Sequence, residues 1–183
     1  ASYTPTAPYG HDGRWRWAIH DTDSTLDEPD YNSLRDATST VDVGPNPAWS
    51  TLILRKLLAN TTFKNDFINR FADLMNTNFL STRIKAKIDE IAAIIAPEMP
   101  DQYFRWKAPV NNGDWQYHLN EEKDFADERP GYQRTHIRTK FGISSNINAT
   151  LNVSNYDHGY IKISTINIVD GTPGISGNPY PWT

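Results

Sequence analysis

Phe63, Phe67 and Phe71 recur every four residues, and Leu74 and Met75 follow on the same side. That spacing places five apolar side chains on one face of a helix and commits this part of the chain to burial against another element. A second stripe, Ile84, Ile88, Ile91, Ala92 and Ile95, opens after Ser81 and is stopped by Pro97, with Lys85, Lys87, Asp89 and Glu90 off the stripe. Upstream, Asn46-Pro47 combines an N-cap residue with a proline suited to the first helical position. It predicts a helix carrying Trp49, Leu52, Ile53, Leu54, Leu57 and Leu58, apolar enough to be buried on much of its circumference and ended by Asn60. Thr61 or Thr62 is the expected cap of the phenylalanine helix. Short connections predict that these three helices pack as antiparallel neighbours.

The remaining segments are arranged around that helical core. A short helix is expected from Pro100 to Trp106, and a turn at Asn112-Gly113. Asp114 then caps a helix reaching about Arg129, and Pro130 begins a last one through Tyr132, Ile137 and Phe141, closed by a left-handed Gly142. After Ser144, Ile147, Ala149, Leu151 and Val153 alternate with polar residues, and Tyr160, Ile161, Ile163, Ile166 and Ile168 follow, so two or three strands are expected. The Gly/Pro-rich residues 170–183 read as a linker or as the start of a further β module. At the front, residues 1–13 form an irregular lead-in with a tight turn at His11-Asp12-Gly13, and residues 24–47 a polar surface loop placed to cover a neighbouring site. The expected fold class is α+β and mainly helical, with residues 1–143 as one unit and residues 144–183 as a short β segment and tail.

A net charge of -4 and a pI near 5.7 argue against nucleic acid as the main partner, since phosphate binding needs a basic surface. No apolar run approaches a membrane span. The chain has no cysteine, which removes disulfides, zinc thiolates and thiol nucleophiles.

The stretch that carries chemistry is Arg14-Trp15-Arg16-Trp17-Ala18-Ile19-His20-Asp21-Thr22-Asp23. Its alternation of large apolar and other residues predicts a half-buried strand, the second of a hairpin, that delivers Asp21 and Asp23 at its C-terminal end. In an extended chain the two carboxylates stand about 7 Å apart on one side. They read either as ligands for a hard cation or as a polar strand exit with an Asx-turn. His20 alternates to the opposite face, and His118, His136 and His158 read as structural or surface residues without the helical spacing of a zinc pair. No glycine-rich phosphate loop and no Gly-x-Ser-x-Gly elbow is present. Arg129, Arg134, Arg138 and Lys140 form a modest basic patch, read as a solvated face balanced by Glu121, Glu122 and Asp127. Tyr103, Trp106, Trp115 and Tyr117 suit sugar stacking or core packing equally well.

The order of motifs carries a resemblance. Trp15-Arg16-Trp17 leads into Asp21-Thr22-Asp23, followed by Asn46-Pro47-Ala48-Trp49 and Leu54-Arg55-Lys56-Leu57-Leu58. Then come Phe67-Ile68-Asn69-Arg70-Phe71-Ala72-Asp73-Leu74, Ile95-Ala96-Pro97-Glu98-Met99-Pro100 and Arg129-Pro130-Gly131-Tyr132. Over roughly residues 14–143 the chain resembles the CotH family of bacterial spore-coat and surface proteins, whose members resemble atypical protein kinases. The resemblance implies a kinase-like C-terminal lobe in which Asp21 is a magnesium ligand and Asp23 its neighbour in the same metal motif. It further implies Mg with ATP as cofactor in the complete protein, with none expected tightly bound in this fragment, a protein Ser/Thr substrate and an extracellular or cell-surface location.

Two departures bear on activity. Family members commonly place an aromatic and then a glycine after the second aspartate, where this chain has Ser24-Thr25-Leu26-Asp27. The catalytic aspartate and phosphate-binding lysine of such kinases lie upstream of the motif, and the residues before Arg14 hold no lysine, so the isolated chain is expected to be inactive. The competing expectation is a non-catalytic surface module that binds protein or polysaccharide.

Overall fold

The structure is a computed structural model that describes residues 4, 6–8, 11–13, 16, 22, 25–44, 46–155, 157–175 and 180–182. Among them the chain builds a helical body, α1 (Ser33–Ala37), α2 (Leu52–Leu58), α3 (Thr61–Met75), α4 (Ser81–Ile95), α5 (Met99–Trp106) and α6 (Asn112–Phe141). Two antiparallel ladders follow, β1 (Ala149–Leu151) with β4 (Tyr180–Trp182), and β2 (Ile161–Ile163) with β3 (Ile166–Ile168). The mainly helical α+β class is thus observed. No described helix is long and apolar enough to cross a membrane.

The phenylalanine stripe of α3 organises the larger core. Leu34, Met75 and Ile137 are buried there, with Phe67, Ile68, Phe71, Phe141 and Ile143 packed around them. Phe67 stacks obliquely on Phe71 at 5.1 Å between ring centroids and meets the edge of Phe141 at 6.1 Å. α3 is capped by Asn60, whose side chain accepts from the Phe63 amide, one residue earlier than expected. α4 packs along α6 rather than against α3, so the expected antiparallel trio does not form. Lys85 to Asp127 at 2.8 Å and Lys123 to Asp89 at 2.5 Å tie α4 to α6.

Several further expectations are corrected. The stretch 24–47 is not merely a surface loop, because α1 lies inside it and buries Leu34 in the core against α6. Asn32 caps that short helix by accepting from the Arg35 amide. The helix expected at Pro47 begins only at Leu52, after a run of turns, and buries none of its residues. Among the described residues its main helical neighbour is α3, and Leu54 is half-buried while Trp49, Leu52 and Ile53 face solvent.

The two helices expected either side of Pro130 are one, α6, with Pro130 inside it. Asn111 rather than Asp114 caps α6, and Asp114 turns back to accept from the Val110 amide. Proline there removes a single i→i−4 donor, a local loss that packing of both flanking stretches outweighs. Gly142 ends α6 at φ +68, as its position predicted.

Finally, the tail is not a free linker, since Tyr180–Trp182 pairs with Ala149–Leu151. Leu151 and Ile168 centre a small second core with Ile161, Ile163, Ile166 and Ile175. That core is fastened to α3 through a buried carboxylate. Asp73 is fully buried, and its Oδ2 accepts from the Thr165 amide at 2.9 Å and the Thr165 hydroxyl at 2.5 Å. Arg70 also donates to that hydroxyl. Thr165 sits in the β2–β3 turn, where Ser164 has φ +46.

Candidate active-site cleft

Asp21 and Asp23, together with Trp15, Trp17, Ile19 and His20, lie outside the described residues, and so does the expected strand except for Arg16. The Arg16 guanidinium forms a two-point pair with the buried Asp12 carboxylate, at 2.7 and 2.6 Å. Gly13 between them has φ +76, in keeping with a turn at Asp12-Gly13. On either side of Asp23, Thr22 and Thr25 are joined: the Thr22 carbonyl accepts from the Thr25 amide at 3.2 Å and from its hydroxyl at 2.6 Å.

From Thr25 the chain runs as a strap over the middle of α6. Thr25, Leu26, Asp27, Glu28, Tyr31 and Ser33 face Phe125 and Arg129 across a cleft of about 460 Å³. Leu26 has φ +62, the left-handed region that a bulky side chain adopts only under constraint. Its side chain also borders the groove between α4 and α6, beside Ile88, Trp115 and Leu119.

Arg129 holds the strap. One terminal nitrogen donates to the carbonyls of Pro29 at 2.8 Å and Tyr31 at 2.6 Å. The other donates to Ser33 Oγ at 3.2 Å and Gln133 Oε1 at 2.9 Å. Burial pushes its pKa down, opposed by the nearby Asp30 carboxylate, but an arginine remains charged at neutral pH. A guanidinium fork can serve four acceptors at once; an ammonium presents three donors from one point.

The far end of the strap is fixed by α1. Asp36 is buried and accepts from Tyr31 Oη at 2.5 Å and Arg35 Nε at 2.7 Å. The Arg35 bond, then the Tyr31 bond, hold its carboxyl below the usual aspartate range. Tyr31, Ser33 and Asp36 also form one wall of a second cleft, floored by Leu54, Phe63 and Phe67. Behind the strap, burial lowers the pKa of His136, and the Arg129 cation lowers it further.

These contacts revise the basic patch. Arg129 and Arg134 are half-buried, Arg134 reaches Asn76 Oδ1, and Arg138 donates to the Ser144 carbonyl at 2.6 Å. Asp127 is taken by Lys85 and by the Ser81 hydroxyl, so the expected balance with acids on the same helix does not hold. Its pKa is lowered by Lys85 first, then Ser81.

His118 is on the surface as expected, but between two carboxylates, with Nδ1 at 2.9 Å from Glu121 and Nε2 at 3.7 Å from Asp114. The pKa of Glu121 is held down by Tyr117 first, then His118. Trp115 is half-buried in the α4–α6 groove, whereas Trp106 and Tyr117 are exposed, so core packing accounts for only part of the aromatic set. Among the described residues no group of three or more His, Asp and Glu side chains stands close enough to hold a metal ion.

Arg129, which holds the strap, is hard to single out in the sequence, because its partners include backbone carbonyls nearly a hundred positions away. The signal available was its place in Arg129-Pro130-Gly131-Tyr132. No curated protein and no solved structure matches the chain. The sequence model of a family described as CotH kinase protein matches residues 2–133. This match starts upstream of the expected strand and ends within α6, short of the expected limit at residue 143. It takes in the acidic pair, the strap and Arg129, and covers well over half of the 183 residues. The chain therefore belongs to the CotH kinase protein family.

Proposed function

We propose that this chain is the C-terminal lobe of a CotH-type protein kinase that, in complete form, transfers the γ-phosphoryl group of ATP to Ser or Thr of a protein outside the cell or at its surface. The observation that carries the reading is the strap leaving Asp21-Thr22-Asp23, pinned to α6 by Arg129 within the family match. In this reading residues 1–143 form the kinase-like part and residues 144–183 the β segment that follows it.

The donor chemistry suits magnesium. Asp21 and Asp23 supply hard carboxylate oxygens, and the exposed Asp27 and Glu28 add negative charge to the cleft wall. Asp21 is the ligand assigned and Asp23 its neighbour. Bound there, Mg²⁺ offsets the charge of the nucleotide phosphates. The chain's own part is to hold against α6 the strap Thr25–Ser33 that follows the acidic segment.

The test is phosphate transfer from labelled ATP by the protein that carries this chain. Asp21→Asn is expected to lower the rate by about a hundredfold or more, in line with loss of a principal charge-stabilising group. Unchanged transfer by that variant overturns the assignment of Asp21.

A second reading, a non-catalytic surface module, is favoured by one feature: Phe104 is 79% exposed and Trp106 62% exposed on α5. Glycan or protein binding that survives chelation and Asp21→Asn, but not Trp106→Ala, supports it.

A further inference from the structure

We infer that Arg129 is a positioning residue: by fixing the strap Thr25–Ser33 on α6 it sets the strength with which the acidic segment binds metal and nucleotide. This rests on the proposed kinase reading and adds a residue that makes its contacts through the strap.

Three observations on described residues carry it. First, a half-buried guanidinium spends its donors on two carbonyls and a hydroxyl of one short segment, with Gln133 of its own helix as the remaining acceptor. Asp127, two positions away, is paired elsewhere, with Lys85. A burial cost accepted for neutral loop carbonyls is a device for fixing backbone position, because a flexible loop offers water the same carbonyls at no such cost.

Second, the strap carries strain. Leu26 sits at φ +62 with its side chain against the α4–α6 groove, so the backbone is held where it would not rest by itself. Arg129 grips the chain three residues further on, at Pro29. Third, the Thr22–Thr25 turn makes the strap continuous with the acidic motif, so displacement at Pro29 and Tyr31 is transmitted over only a few bonds. A shift of about 1 Å in a ligand's support is enough to weaken a site markedly.

The experiment uses the complete protein that carries this chain and two probes, Mn²⁺ alone and Mn²⁺ with ATP, with free Mn²⁺ followed by electron paramagnetic resonance. Hydrogen exchange of the peptide spanning 25–33 is read in parallel. Arg129→Ala is expected to raise the Mn²⁺-ATP dissociation constant at least tenfold and to speed exchange in 25–33 without speeding it in α3 or α4. Arg129→Lys, which keeps the charge and loses the fork, is expected to fall between wild type and alanine; it carries the test if the alanine variant does not fold.

Ile168→Val, a truncation in the separate core of the β segment, separates positioning from general stability and is expected to leave the constant within twofold. Arg129 variants that bind Mn²⁺-ATP like wild type, or an Ile168→Val shift equal to theirs, overturn the inference while the kinase reading stands. A complete wild-type protein that binds neither probe, or its Asp21→Asn variant that binds both normally, overturns the kinase reading and the inference with it.

Discussion

Asp73 is fully buried, yet only one of its carboxylate oxygens is used, accepting from both the amide and the hydroxyl of Thr165. The other oxygen, Oδ1, is buried without a partner. Asp73→Ala strips Thr165 of its acceptor and is expected to cost about 3 kcal/mol in urea unfolding. Asp73→Asn keeps one acceptor oxygen for Thr165 but puts an amide NH2 where Oδ1 has no partner, so its cost is expected to be intermediate, about 1–2 kcal/mol. Equal losses for the two variants would mean that the retained acceptor does not hold the hairpin. His136 gives a pH test at the same scale. Its pKa is lowered by burial first and by the Arg129 cation second, with Arg35 acting the same way and Asp30 opposing. The unfolded chain then binds the proton more tightly than the folded one. The stability contribution is complete above the unfolded histidine pKa of about 6.5 and is lost as pH falls through the folded value. Denaturation midpoints of wild type and His136→Gln are expected to converge between pH 8 and 7 and to diverge towards pH 5, the wild type falling more steeply.

At the scale of elements, legibility followed the range of the interaction that decides the structure. α3, α4 and the stop at Gly142 were readable because their signals, apolar spacing and a left-handed glycine, are local. α1 was not, since one buried leucine in a five-residue helix makes no period, and its stability comes from α6. The exposed face of α2 was misread for the complementary reason: spacing shows that a helix is apolar, not that a neighbour covers it. In the candidate site, the acidic pair stood out as a motif. The residue holding the strap did not, because carbonyl acceptors have no side-chain signature. Pro130 was read as a boundary on its intrinsic cost, and that cost makes a prediction. Pro130→Ala restores a donor for the Ala126 carbonyl and is expected to stabilise the chain by up to about 3 kcal/mol, read as a higher urea midpoint. A lower midpoint would show that packing along α6 depends on the proline's distortion.

Across the whole molecule, the question is whether the helical body and the β segment fold together. Each has its own core, and Leu151 and Ile168 alone would support only a marginal unit, since strands of three residues bury little surface. The segment is therefore expected to depend on α3. Two close contacts make that dependence specific: Thr165 on Asp73, and Gly174 on Thr77, just past the end of α3. A Cβ placed on Gly174 would stand 1.8 Å from the Thr77 carbonyl oxygen, and the residue also has φ +75, so neither space nor backbone admits a side chain. Gly174→Ala is accordingly expected to cost more than about 2 kcal/mol. Because Thr77 is itself buried and donates its hydroxyl to the Asp73 carbonyl, that strain passes straight into the Asp73–Thr165 fastening. Wild type should then unfold in one step, with amides of β2 and β3 protected from exchange to the same free energy as those of α3. In Gly174→Ala the β amides should exchange far faster while α3 keeps most of its protection. Two separate transitions already in wild type would instead make residues 144–183 an independent module that only rests on the helices.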